Sequence, residues 1–437
     1  MKRTAIYNKI QNSPLAKRIA RGAFWSLTGT ALAKFIVLIS GILCAHVLGK
    51  NEYGEFNMVR STINLFVVFG TAGFGVTVTK FVSEYRKMQK SKISGIYTTT
   101  TSFVMIIGLI VTLLTLIFAE DITTITLNAP QLSTPIRLGA LLLFVTIING
   151  VQNGTLSGFE DFRSIAINTL LGSIAEAVLM LIGGYYYGVS GAILGYGCGF
   201  LVIYISNKIS IKRNFRKYNI TIKYTKPSKE NINILFKFTL PLAISSFIVM
   251  PTFWIIRTLL VNNSDFGELA IYEAADQWKI IILFIPTAIS GIVLPILSSM
   301  SQKESNKFWK VLYINMFMNG FSAFMLSIIV ILFAKQIMGT YGEEYNDTTT
   351  LIILALSTIP TAISNVIGSS IVSRSKIWTG LSFNALWSTI MITSTYLLLQ
   401  KGLGASALAY ATLISYSLHF IIQFIYIRFI VSHKVTE

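Results

Sequence analysis

An arginine, Arg257, stands in the middle of the apolar run PTFWIIRTLLV at 251–261. Three more charges follow at Glu273, Asp276 and Lys279, each three residues from the next and so loosely on one helix face. Two others, Lys34 and Glu176, fall near the centres of other apolar runs. Charges inside a membrane cost several kcal/mol, so they face protein or water. The chemistry within reach of this set is recognition of charge rather than bond making. A guanidinium presents a planar fork of donors that matches phosphate oxygens, and a membrane carboxylate can carry a proton or pair with a cation. Arg257 has two readings. It sits near a helix end and snorkels to the interface, or it turns into a polar cavity, held by Glu273 or Asp276. Lys34 and Glu176 likewise form either a structural salt bridge or part of a pathway.

Nothing in the chain resembles a set for covalent catalysis. His46, His419 and His433 are scattered, with no metal-ligand spacing. There is no GxxxxGK[ST], so ATP is not the direct energy source. Glu160 and Asp161 are adjacent in a short loop and read as a solvated turn. Cys44 and Cys198 lie in separate apolar segments and read as small buried hydrophobes. The expectation is a protein that is not an enzyme and has no cofactor or metal, with H+ or Na+ open as a coupling ion.

The elements that position these residues are membrane helices. The chain has 437 residues, 53% hydrophobic and 12% charged, with a mean hydropathy of +0.65. A soluble domain carries about 25% charged residues. A spanning helix needs about 20 mostly apolar residues, and the sequence predicts twelve: 21–48, 58–80, 96–118, 135–156, 164–187, 189–207, 238–261, 270–297, 309–333, 349–372, 378–400 and 402–430. The predicted organisation is a basic interfacial arm (1–20), an N-lobe of six spans (21–207), a basic cytoplasmic linker (208–237) and a C-lobe of six spans (238–437). The first segment is too long for a signal peptide's apolar region. Of the 36 Lys and Arg, 28 fall on the side of the N-terminus, and five (Lys50, Arg60, Arg137, Lys335, Lys401) on the other. The remaining three are Lys34, Arg257 and Lys279, inside spans. This asymmetry predicts both termini in the cytoplasm. It also accounts for most of the +18 net charge as topology and lipid attraction, with no nucleic-acid partner.

Polar stripes run along several spans. Ser26, Thr30, Lys34 and Gly41 share one face, as do Thr169, Gly172, Ser173, Glu176 and Gly183. Asn149, Gln152 and Asn153 do so too, echoed by Asn365, Gly368 and Ser369. Such stripes are either helix-packing seams or the wall of a lumen, and the two deep charges favour the lumen. The halves also repeat. NEYGEFNMV at 51–59 matches SDFGELAIY at 264–272, and GVSGAILGY at 188–196 matches GLGASALAY at 402–410, at offsets of 213 and 214. Six spans per half in one orientation make a parallel repeat, an architecture in which substrate binds between lobes that rock.

This plan, with ARGAFWSLTGTALAKFIVLISGILCAHVLGKNEYGEFNMV leading to GTAGFGVTVTKFVSEYR, resembles the Wzx-type polysaccharide flippases of the multidrug/oligosaccharidyl-lipid/polysaccharide (MOP) exporter superfamily. The resemblance covers almost the whole chain through diffuse glycine, aromatic and charge patterns. Twelve spans favour its O-antigen-like branch over the fourteen-span lipopeptidoglycan branch. It implies an all-α polytopic protein of the bacterial cytoplasmic (inner) membrane. Its substrate would be undecaprenyl-diphosphate-linked glycan, moved between leaflets for O-antigen or capsule assembly, with membrane lipids and the pathway's polymerase and chain-length proteins as partners. Lys34, Arg257 and Lys279 would then be lumen cations for the diphosphate. Glu176, Asp276, Glu273, Asn149, Gln152, Asn153, Asn365, Ser26 and Thr30 would be lumen polar or coupling residues. A drug or cation antiporter of the same superfamily is the first alternative, kept open by Glu176. A non-transport component of polysaccharide assembly is the second, though the chain lacks the large outer loop expected of a polymerase.

Overall fold

The computed structural model describes residues 14–71, 73–222, 228–239, 247–290, 305–373 and 376–431. Among these the chain is helical, with no strand. Hydrocarbon offers backbone groups no partner, so an apolar run must pair its own N–H and C=O groups, as a helix does. Among the described residues, seven helices are long and apolar enough to cross a membrane, or eight when one bent pair is counted as a span.

Helix α1 (Pro14–Leu48) ends at Gly49, and α2 (Lys50–Thr71) begins at once. The second predicted span, 58–80, is therefore redrawn. The helix starts eight residues earlier and meets α3 (Phe74–Met88) at a bend of 42°. Lys50, Glu52 and Glu55 lower the hydropathy of the first turns, but Tyr53, Phe56 and Met58 beside them are fully enclosed. Burial of one face outweighs composition there.

Helix α4 (Lys90–Asp121) closes with a π turn at Ile122–Thr126, and a 3-10 turn at Pro130–Leu132 leads into α5 (Ser133–Gly158). Next comes α6 (Phe162–Lys217), whose 56 residues hold one break, at Tyr187 and Gly188. Gly188 has φ 54° and ψ −143°, a region that essentially only glycine occupies. Gly183 touches the backbone of Gly191, Gly195 that of Leu179, and Gly172 the side chain of Ile203. Each pair straddles the break almost symmetrically, so α6 is an antiparallel helical hairpin. Its tip carries Tyr185, Tyr186 and Tyr187, all at least 70% exposed, with the first two rings 5.1 Å apart. The predicted spans 164–187 and 189–207 lie on either side of this turn, and the second arm runs on to Lys217.

The chain continues through α7 (Lys229–Ile234), a π turn at Leu235–Thr239, α8 (Val249–Asn263) and α9 (Phe266–Ile282). The last five helices are α10 (Ser305–Leu332), α11 (Ala334–Gly339), α12 (Thr348–Ser373), α13 (Ile377–Leu399) and α14 (Ala405–Ile425). Parts of the predicted spans 238–261 and 270–297 lie outside the described residues.

The described residues form two compact units. The first takes those up to Ser40 and those within Ile63–Glu120 and Ser133–Ser246. Here α3 packs closely on α5, where Thr79 Oγ1 donates to Gly154 O at 3.0 Å, and α5 packs on the hairpin. The second takes Gly41–Thr62, Asp121–Leu132 and those from Phe247 onward. Its central helix is α12, packed against α9, α10 and α14. Gly404, just before α14, has φ 53° and ψ −135°, close to Gly188. The matched sequences pair Gly188 with Gly402, so the conformational counterpart lies two residues further on.

Candidate functional site

Helix α9 is the frame of the site. Asp265 caps it, accepting from the Glu268 N–H at 2.8 Å, and Glu268 Oε2 accepts from Ala405 N at 2.6 Å, tying α9 to the start of α14. Twelve of its residues are buried, including Leu269, Ile271, Ala274 and Ala275, so it is enclosed on nearly every side. Glu273, Asp276 and Lys279 therefore have no open route to water along their own helix, and neighbouring groups must neutralise them.

Those groups are present. Arg257 Nε donates to Glu273 Oε1 at 2.5 Å, and its Nη2 stands 3.9 Å from Asp276 Oδ2. Lys279 Nζ donates to Asp276 Oδ1 at 2.5 Å. Arg60 Nη2, from α2, donates to the second oxygen of Glu273 at 3.3 Å. Glu273 thus bridges two arginines while its own side chain is 4% exposed. Aromatic faces line the cations: the Arg257 guanidinium lies 5.5 Å from the Tyr272 ring and 5.8 Å from Phe253, and Lys279 Nζ 5.6 Å from Phe253. Removing one partner from a buried ion pair costs about 3–5 kcal/mol, since the other charge is left uncompensated.

Three cations and two carboxylates give the cluster one net positive charge, in an environment where a fixed cation is screened little by water. It can stabilise an anion. It holds no nucleophile poised against a base, and among the described residues no group of His, Cys, Asp and Glu is placed to hold a metal. Next to it, Gln277 Nε2 donates to Tyr53 OH at 2.5 Å and Gln277 Oε1 accepts from Tyr341 OH at 3.2 Å. Trp254 Nε1 donates to Thr62 Oγ1 at 3.0 Å.

The structure brings together Arg257, Glu273, Asp276 and Lys279. Arg257 is held by carboxylates, and its side chain is only 12% exposed. Arg60, counted from sequence among the basic residues on the side opposite the N-terminus, sits three turns inside α2 and belongs to the cluster. Its signal was the repeat itself, because Arg60 directly follows NEYGEFNMV and Glu273 directly follows SDFGELAIY. Tyr53 and Gln277 were also missed.

The remaining residues lie elsewhere. In the first unit, Ser26 and Thr30 are exposed on α1, with Thr30 Oγ1 donating to Ser26 O at 2.7 Å, and Lys34 is half-buried one turn on. Glu176 is half-buried with its Cβ near Gly199 of the opposite hairpin arm. Asn149 donates to Phe200 O at 2.9 Å, Gln152 is buried on the same helix, and Asn153 accepts from Asn207 at 3.0 Å. Asn365, in the second unit, lines a cavity of about 310 Å³ with Ser290, Asn319 and Ser369.

Residues 19–301 match the family model described as polysaccharide biosynthesis protein. The chain is 22% identical over 406 residues to the EPS I polysaccharide export inner membrane protein EpsE of Ralstonia nicotianae, covering 89% of each chain. It is 27% identical over 299 residues to the lipid III flippase of Escherichia coli K12, covering 65% of this chain and 68% of that one. Among solved structures, an inward-facing multidrug resistance transporter of the MATE family in the MOP superfamily superposes with a TM-score of 0.79 at 16% identity, over 92% of this chain and 95% of the other. The family match takes in well over half of the residues, and so the chain belongs to the polysaccharide biosynthesis protein family and carries the fold of the MOP-superfamily transporters.

Proposed function

We propose that this protein is a flippase that carries undecaprenyl-diphosphate-linked oligosaccharide across the bacterial cytoplasmic membrane for O-antigen or capsule assembly. In this reading twelve spans form two six-helix lobes related by a parallel repeat, with both termini cytoplasmic, and alternating access moves the glycan. The 28-to-5 asymmetry of Lys and Arg and the two matched sequence pairs support it. The observation that carries it is the net positive, enclosed cluster of Arg60, Arg257, Lys279, Glu273 and Asp276. Fixed cations offset the desolvation of a diphosphate. A polar path spares the sugars, since each unpaired hydroxyl moved into hydrocarbon costs about 4–8 kcal/mol. Lys34 is a further lumen cation in this proposal, Glu176 the carboxylate for H+ or Na+ coupling, and Asn365 a hydrogen-bonding wall for sugars.

The likeness to a multidrug transporter supports a second reading, a drug or cation antiporter. The two part on the sign of the cargo's charge. Expression in a flippase-deficient strain should restore surface polysaccharide and leave ethidium efflux at background. Ethidium efflux without polysaccharide would reverse the assignment.

A further inference from the structure

A polar pocket of the first unit opens at the open end of the α6 hairpin. Its volume is about 530 Å³, and Arg163, Arg213, Lys217, Glu160, Asp161 and Tyr218 line it. The two carboxylates are satisfied from within. Glu160 accepts from Arg86 at 2.6 Å. Asp161 accepts from Asn214 at 2.7 Å and from the Ser164 N–H at 3.3 Å, with Arg213 at 3.4 Å. Arg163 and Lys217 have no carboxylate partner among the described residues; Arg163 lies 5.3 Å from the Trp25 ring and Lys217 Nζ 5.6 Å from the Tyr218 ring.

Both hairpin arms lead from this pocket along apolar stripes. On the first arm Arg163 is followed at helical spacing by Ile167, Leu171, Ile174 and Val178, each 38–50% exposed. On the second, Leu201, Ile205 and Ile209, each 41–65% exposed, run at four-residue intervals up to Arg213. A basic pocket that continues into two outward apolar tracks has the polarity of one lipid molecule, headgroup in the pocket and acyl chains along the helices. The lining residues sum to one positive charge, the complement of a phosphodiester, whereas a diphosphate brings two or more negative charges.

We propose that this pocket binds the phosphodiester headgroup of an anionic phospholipid, at a site separate from the transported glycan. The proposal does not depend on the transport reading. Native mass spectrometry of the full-length protein in detergent, titrated with phosphatidylglycerol, phosphatidylethanolamine or undecaprenyl diphosphate, tests it. The wild type should retain phosphatidylglycerol in preference to phosphatidylethanolamine. The double variant Arg163→Gln/Lys217→Gln, at two exposed positions, should weaken phosphatidylglycerol about 30-fold, about fivefold per lost charge, and leave undecaprenyl diphosphate unchanged. Equal retention of phosphatidylglycerol by both proteins, or equal binding of the two phospholipids by the wild type, would overturn the proposal. So would loss of undecaprenyl diphosphate in the variant, which would make the pocket part of the transport route. A photoactivatable phosphatidylglycerol in native membranes gives a second measurement: cross-links should fall on the Ile167 and Ile209 peptides, and labelling confined to other helices would sink the idea.

Discussion

Arg60 and Glu273 lie 213 residues apart, the offset at which NEYGEFNMV and SDFGELAIY match, and their side chains meet in an ion pair at 3.3 Å. Matching positions of the two sequence segments thus carry opposite charge and neutralise each other. Glu273 also holds Arg257. Glu273→Gln therefore removes the carboxylate that both guanidiniums share and should lower stability by about 3–5 kcal/mol. Swapping the pair, Arg60→Glu with Glu273→Arg, should fail to rescue, because the new arginine faces Arg257. Thermal stability read by fluorescence-detected size exclusion checks both; a swap as stable as the wild type would reduce the network to a simple pair.

Arg257→Ala behaves differently. It leaves Arg60 and Lys279 against Glu273 and Asp276, a balanced set, so the protein should still reach the membrane. Losing a charge-assisted hydrogen bond costs about 1.5–3 kcal/mol, a tenfold or larger loss of affinity for a diphosphate. Surface polysaccharide should stop in a flippase-deficient strain carrying this variant, at normal protein level by blot. Arg257→Lys should rescue in part, keeping charge but losing the fork. Full activity of the alanine variant would remove Arg257 from substrate binding.

Topology has a direct test. Ser228 and Asn263 are both exposed in the structure. In intact cells a cysteine at Ser228 should resist an impermeant thiol reagent, while one at Asn263 should label readily. Equal labelling rates would rule out the twelve-span arrangement with cytoplasmic termini.

Asp161 carries a pH dependence. Burial alone would raise its pKa, but hydrogen bonds from Ser164 and Asn214 and the nearby Arg213 outweigh burial and hold it below the usual carboxylate value. A depressed folded-state pKa contributes stability above the unfolded value, about 3.9, and that contribution disappears as pH falls through the folded value. The stability gap between wild type and Asp161→Asn should be constant from about pH 5 to 8 and shrink below about pH 4. A gap that widens on acidification would contradict this sign.

Glu176→Gln tests coupling. With Glu176 as the proton site, the variant should lose the pH dependence of transport measured in inverted vesicles. Unchanged rate and pH profile would leave Glu176 to helix packing.

Much of this was legible in sequence, for identifiable reasons. Long apolar runs announce helices because hydrocarbon leaves the backbone no other partner, and Gly188 was visible as the turn between two of them. The grouping of Glu273, Asp276 and Lys279 followed from helical spacing, with Arg257 in the run just before them. The start of α2 did not, because Lys50, Glu52 and Glu55 conceal a buried face of Tyr53 and Phe56. Arg60 was hidden by the same segment, since a charge near a span's end reads as an orientation signal until its partner is known. The asparagines of α5 were legible as a polar face, while the partners Phe200 O and Asn207 depend on how the hairpin packs.

The α6 hairpin also serves as a ruler. From Gly188 back to Arg163 is 25 residues, about 37 Å at 1.5 Å per residue. That exceeds the hydrocarbon thickness of about 30 Å by a few ångströms at each end. Tyrosines favour the membrane–water boundary, so the three at the tip register one surface and Arg163, with Trp25 beside it, the other. The depth at which this protein floats is written into the distance between a tyrosine cluster and an arginine, and lengthening either arm by one helical turn would shift that waterline by about 5 Å.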